Sequence, residues 1–329
     1  STEAPIILAM RVVFFLLAGL CTLKSMGQQA PYIFANGQTQ AWMNPAIVPA
    51  LYFTDDQNLL VQSTYRAQWI SQPETPRTLQ LAASFIPDWG NRFHLLAGAL
   101  LLQDRTGPIG VTDINGRIGA ILNAGDRHYF SLAATFGQSQ FQFDAGRVNW
   151  LHDNDALVPA YSFTANRPDL GIGAYYYLKL DPQGLNKNNL YLGAAVPQVL
   201  GANWKVNTGE RITPLGQELH LFGQAGWLHF FSDASFFELA AQTRYTKGAP
   251  LNLDIIAKIQ PIRTLILGGG YNLNGWVHLQ GGLNVPGLFA EASVFCIGYA
   301  FGYNTSVFNL RLGSSHEITL SISLGTNHY

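Results

Sequence analysis

The sequence predicts an all-β protein, a transmembrane antiparallel β-barrel of about 14 strands in an outer membrane. Three observations favour this fold class. Charged residues make up only 12% of the 329 residues, while aromatic residues also make up 12%. Apolar and polar side chains alternate with a period of two over long stretches. Beyond residue 27, no apolar run reaches the roughly 18 residues that a membrane-spanning helix needs.

The composition also argues against two other classes of protein. A formal net charge of −1 and a pI of about 6.7 argue against a nucleic-acid-binding protein, which presents a basic face. A hydrophobic fraction of 48% argues against a disordered chain. The charge balance thus predicts no nucleic-acid partner. The low charge content and the predicted barrel together predict that outer-membrane lipid surrounds the chain.

The segment 10–27 has the pattern of a secretory signal peptide. A single arginine, Arg11, precedes an apolar stretch at residues 12–20, and a small-x-small cleavage site ends at Gly27. The apolar stretch is too short to cross a bilayer as a helix. Residues 1–27 are therefore predicted to be upstream residues plus a signal peptide that is cleaved during export.

The alternation of polarity separates two faces along each predicted strand. In the stretch 250–260, one face is wholly apolar and the other is polar except for Ile256. Around Glu238, the polar face also carries Phe236 and Ala240. The clearest stretches lie near residues 58–70, 235–245, 250–260, 275–285 and 317–325.

These stretches have about the 9–11 residues that a tilted strand needs to cross a bilayer. Only helices and closed barrels satisfy all their backbone hydrogen bonds inside hydrocarbon. A soluble β-sandwich or propeller is the alternative, because its strands alternate too. Soluble strands are usually shorter, however, and their exposed faces carry more lysine and glutamate. The pattern therefore favours a barrel.

The connections between the predicted strands sort by length. About fourteen strands can be placed, an even number, as is usual for bacterial outer-membrane barrels. Connections after even-numbered strands are predicted to be tight. Because short periplasmic turns and longer outward loops are typical of such barrels, the long connections are expected to face outward. They are residues 104–113, 145–169, 200–216 and 304–316.

The domain organisation follows from this pattern. Residues 58–329 are predicted to form a single transmembrane β-barrel domain, whose lumen is wider than its own side chains can fill. Residues 28–57 precede the first strand and do not alternate. This segment is expected to be either a plug inside the barrel or a periplasmic tether, and the sequence leaves both open.

No catalytic, cofactor or metal-binding motif is found in the sequence, so we expect no enzymatic activity, no cofactor and no metal. The eight histidines lack ligand spacing, and no nucleophile elbow or phosphate-binding loop is present. Five charged residues are predicted to face the lumen, where they would tune selectivity or pair with one another across the wall. They are Arg66, Glu238, Arg244, Asp254 and Lys258.

Several short motifs follow one another along the chain in a fixed order. They are Asn44-Pro45-Ala46, YRAQW at 65–69, TPRT at 75–78, PDLGIGAYYY at 168–177, YLGAAVP at 191–197, YTKGAPL at 245–251 and GSSHEI at 313–318. Taken together, these motifs resemble the PorP/SprF family of outer-membrane proteins, which is associated with type IX secretion in Bacteroidota.

The resemblance implies an accessory barrel that receives the C-terminal signal domain of a secreted adhesin or gliding-motility protein and anchors it at the cell surface. It also implies periplasmic partners from the secretion machinery, including peptidoglycan-binding lipoproteins. The alternative is a passive porin-like channel for small solutes. Aromatic residues in the predicted loops are either cargo anchors or part of the aromatic girdle at the membrane interface. They are Trp150, Tyr161, Phe163 and Trp204.

Overall fold

A computed structural model describes residues 39–87, 92–125, 127–148, 162–180, 188–200, 202–207, 212–305 and 313–325, with the backbone alone for residue 39, 202–207 and 212–217. Within these residues, fourteen strands close into one antiparallel barrel, in which the last strand pairs with the first. Two further strands form a separate hairpin. The predicted fold class is therefore confirmed.

The elements follow one another along the chain with only one short α-helix among the described residues. A 3₁₀ turn at Thr39–Trp42 and helix α1 at Ala50–Asp55 precede the first strand. The strands are β1 Leu59–Ala67, β2 Arg77–Phe85, β3 Phe93–Thr106, β4 Ile109–Asn123, β5 His128–Phe143, β6 Phe163–Lys179, β7 Asn188–Val196, β8 Ala202–Asn207, β9 Ile212–Gln217, β10 His220–Ser232, β11 Ser235–Thr246, β12 Asn252–Ile262, β13 Leu265–Asn272, β14 Trp276–Pro286, β15 Ser293–Asn304 and β16 Ser315–Leu324.

The two faces of the strands are those that the alternation predicts. Large apolar side chains point outward, with 63% of Leu279, 47% of Ile255 and 43% of Leu320 exposed, as suits a lipid-facing wall. Polar side chains such as Gln62 and Thr319 point inward and are buried. Among the described residues, no helix is long and apolar enough to cross a membrane.

The two ends of the barrel differ in their connections. We call the end at which β1 begins and β16 ends the N-terminal rim, and the opposite end the loop rim. The strands that meet at the N-terminal rim are joined by the shorter connections, the longest of which spans residues 180–187. The loop rim carries the long connections 144–162, 197–219 and 305–314. The long connections therefore share one rim, as the sequence predicts.

The predicted connection 104–113 is wrong, because β3 and β4 continue through it. Only Gly107 and Pro108 separate these strands, and Gly107 has a φ of +55°, which favours glycine. The added residues are stabilised by pairing, since Ile109 at the start of β4 lies opposite Phe143 of β5. Strand pairing extends beyond the stretch in which polarity alternates. Alternation alone therefore predicted β3 and β4 to be shorter than they are.

The predicted connections 145–169 and 200–216 also need correction. β6 begins at Phe163, so this residue lies opposite Phe143 in a strand and not in a loop. Pro168 is tolerated within β6 because β7 pairs with β6 no further than Ile172, which leaves an edge at this point. The second connection contains the hairpin of β8 and β9, with β8 beside β6.

Candidate functional site

The described part of the N-terminal segment, residues 39–57, packs against inward-facing side chains of the barrel wall, and we call it the plug. Its turn at Asn44 is fixed locally, because Asn44 Oδ1 accepts a hydrogen bond from the Ala46 N–H at 2.9 Å. Ala46 and Val48 are almost completely buried. Helix α1 ends at Asp55 and is followed by the C-cap residue Asp56, which adopts the left-handed conformation with a φ of 50°.

Arg117 of β4 binds the plug to the barrel wall. Its guanidinium donates hydrogen bonds to the carbonyl oxygens of Pro45 and Ile47, and it also donates to Ser84 Oγ at 2.8 Å. The side chain is buried, and a buried guanidinium needs such acceptors to offset the loss of its hydration. Arg117 therefore ties two plug carbonyls to β2 and β4.

Two glycines let the plug approach the wall at β6 and β7. A Cβ at Gly173 would lie 2.2 Å from Asn44 Oδ1, and a Cβ at Gly193 would lie 2.7 Å from Asn44 Nδ2. Asn44 Nδ2 donates to the Ala174 carbonyl at 3.0 Å. Side chains at these two glycines would displace the turn at Asn44, so the wall is shaped to fit the plug.

An aromatic cluster packs the helical part of the plug against β5 and β6. Phe53 of α1 stacks on Tyr177, with the ring centroids 4.0 Å apart, and meets Tyr129 edge-on at 5.0 Å. Burial of one phenylalanine side chain stabilises a fold by about 1.5–3 kcal/mol. These contacts are what the plug hypothesis expects of residues 39–57; residues 28–38 lie outside the described residues, so the choice between plug and tether for the whole segment 28–57 stays a prediction.

The five charged residues predicted to face the lumen lie on inward-facing positions and are buried or nearly so. Lys258 Nζ lies 3.4 Å from Glu238 Oε2 on the neighbouring strand. Tyr191 of β7 donates a hydrogen bond to Glu238 Oε1 at 2.7 Å. Arg66 lies directly opposite Glu317 in the ladder between β1 and β16. In both pairs, Glu238 with Lys258 and Arg66 with Glu317, an acidic and a basic residue face each other across neighbouring strands.

Arg244 and Asp254 belong to a buried group that we call the polar cluster: Arg244, Asn252, Asp254 and Asn272. Arg244 donates to Asp254 Oδ2 at 2.9 Å, and Asn272 donates to Asp254 Oδ1 at 2.7 Å and to the Asn252 side chain. Burial of a charge is costly unless it is paired and hydrogen-bonded, and the cluster meets both conditions for Asp254.

Glycines in β13 give the neighbouring inward side chains room to lie along the wall. A Cβ at Gly268 would lie 2.9 Å from both Lys258 Cγ and Gln280 Nε2. A Cβ at Gly270 would lie 2.4 Å from the His278 ring. The absence of side chains at these two positions therefore lets the flanking residues lie across β13.

The connections of the loop rim are joined by a set of exposed ion pairs that we call the rim network. Arg147 lies 3.3 Å from Glu74 and 3.4 Å from Asp144, and Arg105 lies 3.9 Å from Asp144. The Gly107 N–H also donates to the Glu74 carbonyl at 3.1 Å. The connections after β1, β3 and β5 are therefore tied into one surface.

Of the four aromatic residues predicted to lie in loops, only Phe163 has a side chain among the described residues. Phe163 stacks on Phe143 with the centroids 5.5 Å apart, and it also contacts Phe141 on the inner face of the loop rim. Trp150 and Tyr161 lie outside the described residues, as does the side chain of Trp204.

Sequence reasoning missed Arg117 and Glu317. The signal for both was present, because each occupies an inward-facing position of an alternating strand. Their partners are distant in sequence, and alternation carries no information about such contacts.

Comparison with known proteins supports the architecture. A search of curated proteins gave no significant match. A FadL homologue of Pseudomonas aeruginosa superposes with a TM-score of 0.50 at 10% identity, covering 89% of this chain and 95% of that chain. The toluene transporter TodX of Pseudomonas putida gives 0.48 at 12% identity, covering 90% and 95%. The translocator domain of the autotransporter NalP from Neisseria meningitidis gives 0.44 at 11% identity, covering 81% and 87%. At such identities, the first likeness shows the fold alone.

A protein-family profile matches residues 35–322, most of the chain, including the described part of the plug from residue 39 and nearly all of the barrel. The profile is that of the type IX secretion system membrane protein PorP/SprF. The barrel architecture and this membership place the protein in the outer membrane. The chain thus belongs to the PorP/SprF family of type IX secretion system membrane proteins.

Proposed function

We propose that this barrel binds the C-terminal signal domain of a secreted adhesin or gliding-motility protein at its loop rim and anchors that cargo at the cell surface. The protein would act by recognition, without covalent chemistry and without passing cargo through its own lumen. Periplasmic components of the secretion machinery, including peptidoglycan-binding lipoproteins, would bind at the N-terminal rim.

The plug is the observation that carries the proposal. Arg117, Asn44 and Phe53 fix the plug to the wall through hydrogen bonds and ring stacking. A channel needs an open lumen, whereas an anchor does not. A lumen occupied by a segment with such specific contacts therefore favours an anchor over a passive porin.

The rim network supports the location of the binding surface. Arg147 connects Glu74, in the connection after β1, to Asp144, in the connection after β5. Exposed ion pairs contribute little stability, about 0–1 kcal/mol each. Their proposed value here is preorganisation, because loops that are already ordered lose less entropy when a partner binds.

The experiment that tests the proposal is a pull-down in detergent. The bait is the purified C-terminal signal domain of a secreted adhesin from the same organism. We expect the unmodified barrel to bind it and the triple variant Trp150→Ala, Tyr161→Ala, Trp204→Ala to bind at least about tenfold more weakly, since aromatic anchors dominate interface energy. Trp227→Ala, a tryptophan on the outward face of β10, is the matched control and should bind normally.

Two results would contradict the proposal. Full retention of cargo by the triple variant would remove the assigned role of the loop aromatics. Steady ion conductance of the unmodified protein in planar bilayers, together with no cargo binding, would favour the porin-like channel.

A further inference from the structure

A cavity of about 220 Å³ lies between the plug and the wall formed by β1, β6, β7 and β10 to β16. It extends to the N-terminal rim, where Asp55 and Asp233 contribute to its lining. Its inner end is lined by Glu238 and Lys258. The cavity is thus enclosed jointly by the plug and the barrel.

The cavity has two chemically different sides. On the plug side, Ile47, Val48 and Leu51 form an apolar patch, next to the polar residues Gln40, Thr54 and Asp55. On the side of β14 and β16, it is lined by amide and hydroxyl side chains, such as Gln280 and Ser321. A molecule that fills this space must therefore present an apolar surface on one side and hydrogen-bonding groups on the other.

Two buried glutamines face the cavity with unused hydrogen-bonding capacity. Gln280 is 7% exposed, and within the described part of the chain neither atom of its amide has a hydrogen-bond partner. Gln62 is 2% exposed; its Nε2 donates to Thr64 Oγ1 at 3.2 Å, while its Oε1 has no partner among the same residues. Because buried polar groups are nearly always hydrogen-bonded, these atoms indicate a ligand that both donates and accepts.

The charges that line the inner end are already neutralised by each other. Glu238 is engaged by Lys258 at 3.4 Å and by the Tyr191 hydroxyl at 2.7 Å. A ligand with a net charge would enter without a free counter-charge at this end, at a substantial cost in desolvation. The chemistry of the inner end therefore favours an uncharged ligand.

We propose that this cavity binds a small uncharged amphiphile, with an apolar body against Ile47 and Val48 and an amide or hydroxyl group on Gln280 and Gln62. An engineered apolar cavity of about 150 Å³ holds benzene. The cavity in this barrel is larger, at about 220 Å³, and so has room for a substituted ring. Benzamide has this size and chemistry and is the probe for the test.

A native cysteine, Cys296 of β15, supplies the readout, because its side chain lines the cavity. The full chain in lipid nanodiscs is treated with N-ethylmaleimide, and alkylation of the Cys296 peptide is followed by mass spectrometry. At about ten times its dissociation constant, benzamide should slow alkylation about tenfold. Benzoate, of similar size but charged, should give no protection at the same concentration.

Matched variants locate the polar contact. Gln280→Leu keeps the side-chain volume and should abolish protection by benzamide. Gln242→Leu makes the same change at a buried, inward-facing position that does not line the cavity, and protection should persist. Heat-modifiable electrophoretic mobility confirms that each variant is a folded barrel.

The remaining outcomes overturn the proposal. No protection of the native protein by benzamide would leave the cavity to water alone. Equal protection by benzoate, or unchanged protection in Gln280→Leu, would refute the uncharged ligand or its assigned contact. Saturation-transfer NMR of benzamide on the same samples gives a readout that does not depend on the reactivity of the thiol.

Discussion

The plug and the polar cluster fill the barrel in opposite ways. The plug meets an apolar part of the inner wall that includes Leu96, Ile121 and Tyr177, all almost completely buried. The polar cluster is built by the wall itself, from side chains on β11, β12 and β13. In these two regions, the apolar inward-facing residues contact an occupant, whereas the polar ones contact partners on the neighbouring strands.

Deletion of residues 39–57 should have the largest effect on this contrast. The plug makes no strand of the barrel, so the closed ring of fourteen strands should still form. The lumen should then fill with water and conduct ions, because the segment that occupies it would be gone and many of its inward-facing side chains are polar. Single-channel recording in planar bilayers measures the change, and a deletion variant that stays closed would show that the wall alone seals the lumen.

Loss of one partner in the polar cluster should come next. Arg244→Met leaves Asp254 buried without the guanidinium and should reduce the free energy of unfolding by about 3–5 kcal/mol. The double variant Arg244→Met, Asp254→Leu removes both charges and should lose less. Urea unfolding in detergent micelles compares the two, and equal losses would contradict a charge-based cause.

A side chain at the plug contact should have a smaller effect. Gly173→Val places atoms where Asn44 lies, since even a Cβ would be 2.2 Å from Asn44 Oδ1. Overpacking of this kind costs about 1–3 kcal/mol and should loosen the plug, with partial conductance. Gly282→Ala is the control, because the nearest atoms to a Cβ there lie at 3.7 Å. If both variants behave alike, the fit at Asn44 does not hold the plug.

Disruption of the rim network should have the smallest effect on stability. Arg147→Ala removes two exposed ion pairs and should change the free energy of unfolding by less than about 1 kcal/mol, and by less still at high salt. Urea unfolding at two salt concentrations measures this. A loss of several kcal/mol would show that the loop rim contributes to the stability of the whole barrel.

The sequence predicted the wall of the barrel better than its contents. A period of two identified the strands because burial in lipid demands an unbroken apolar face. The exceptions on the polar face, Ile256, Ala240 and Phe236, were visible but unexplained. In the structure, the first two pack in the core that contains the plug, and Phe236 lines the cavity.

Other features could not be predicted from periodicity. The strand ends at Thr106 and Ile109 depend on pairing beyond the lipid-facing belt, which leaves no apolar pattern in the sequence. The contacts of Arg117 with Pro45 and Ile47 join residues about seventy positions apart, and only the closed ring brings them together.

The glycines of β13 have a consequence for how the interior can evolve. Gly268 and Gly270 have no side chains. The neighbouring inward-facing side chains can therefore lie against the backbone of β13; they are Lys258, Gln280 and His278. A single methyl group at Gly268 would push Lys258 and Gln280 away from the backbone of β13 and reduce the volume of the cavity that both residues line. The smallest residues of the strand thus limit the size of the cavity, and exchange of Gly268 for alanine would change that size by displacing Gln280, the residue to which the polar group of the ligand is assigned.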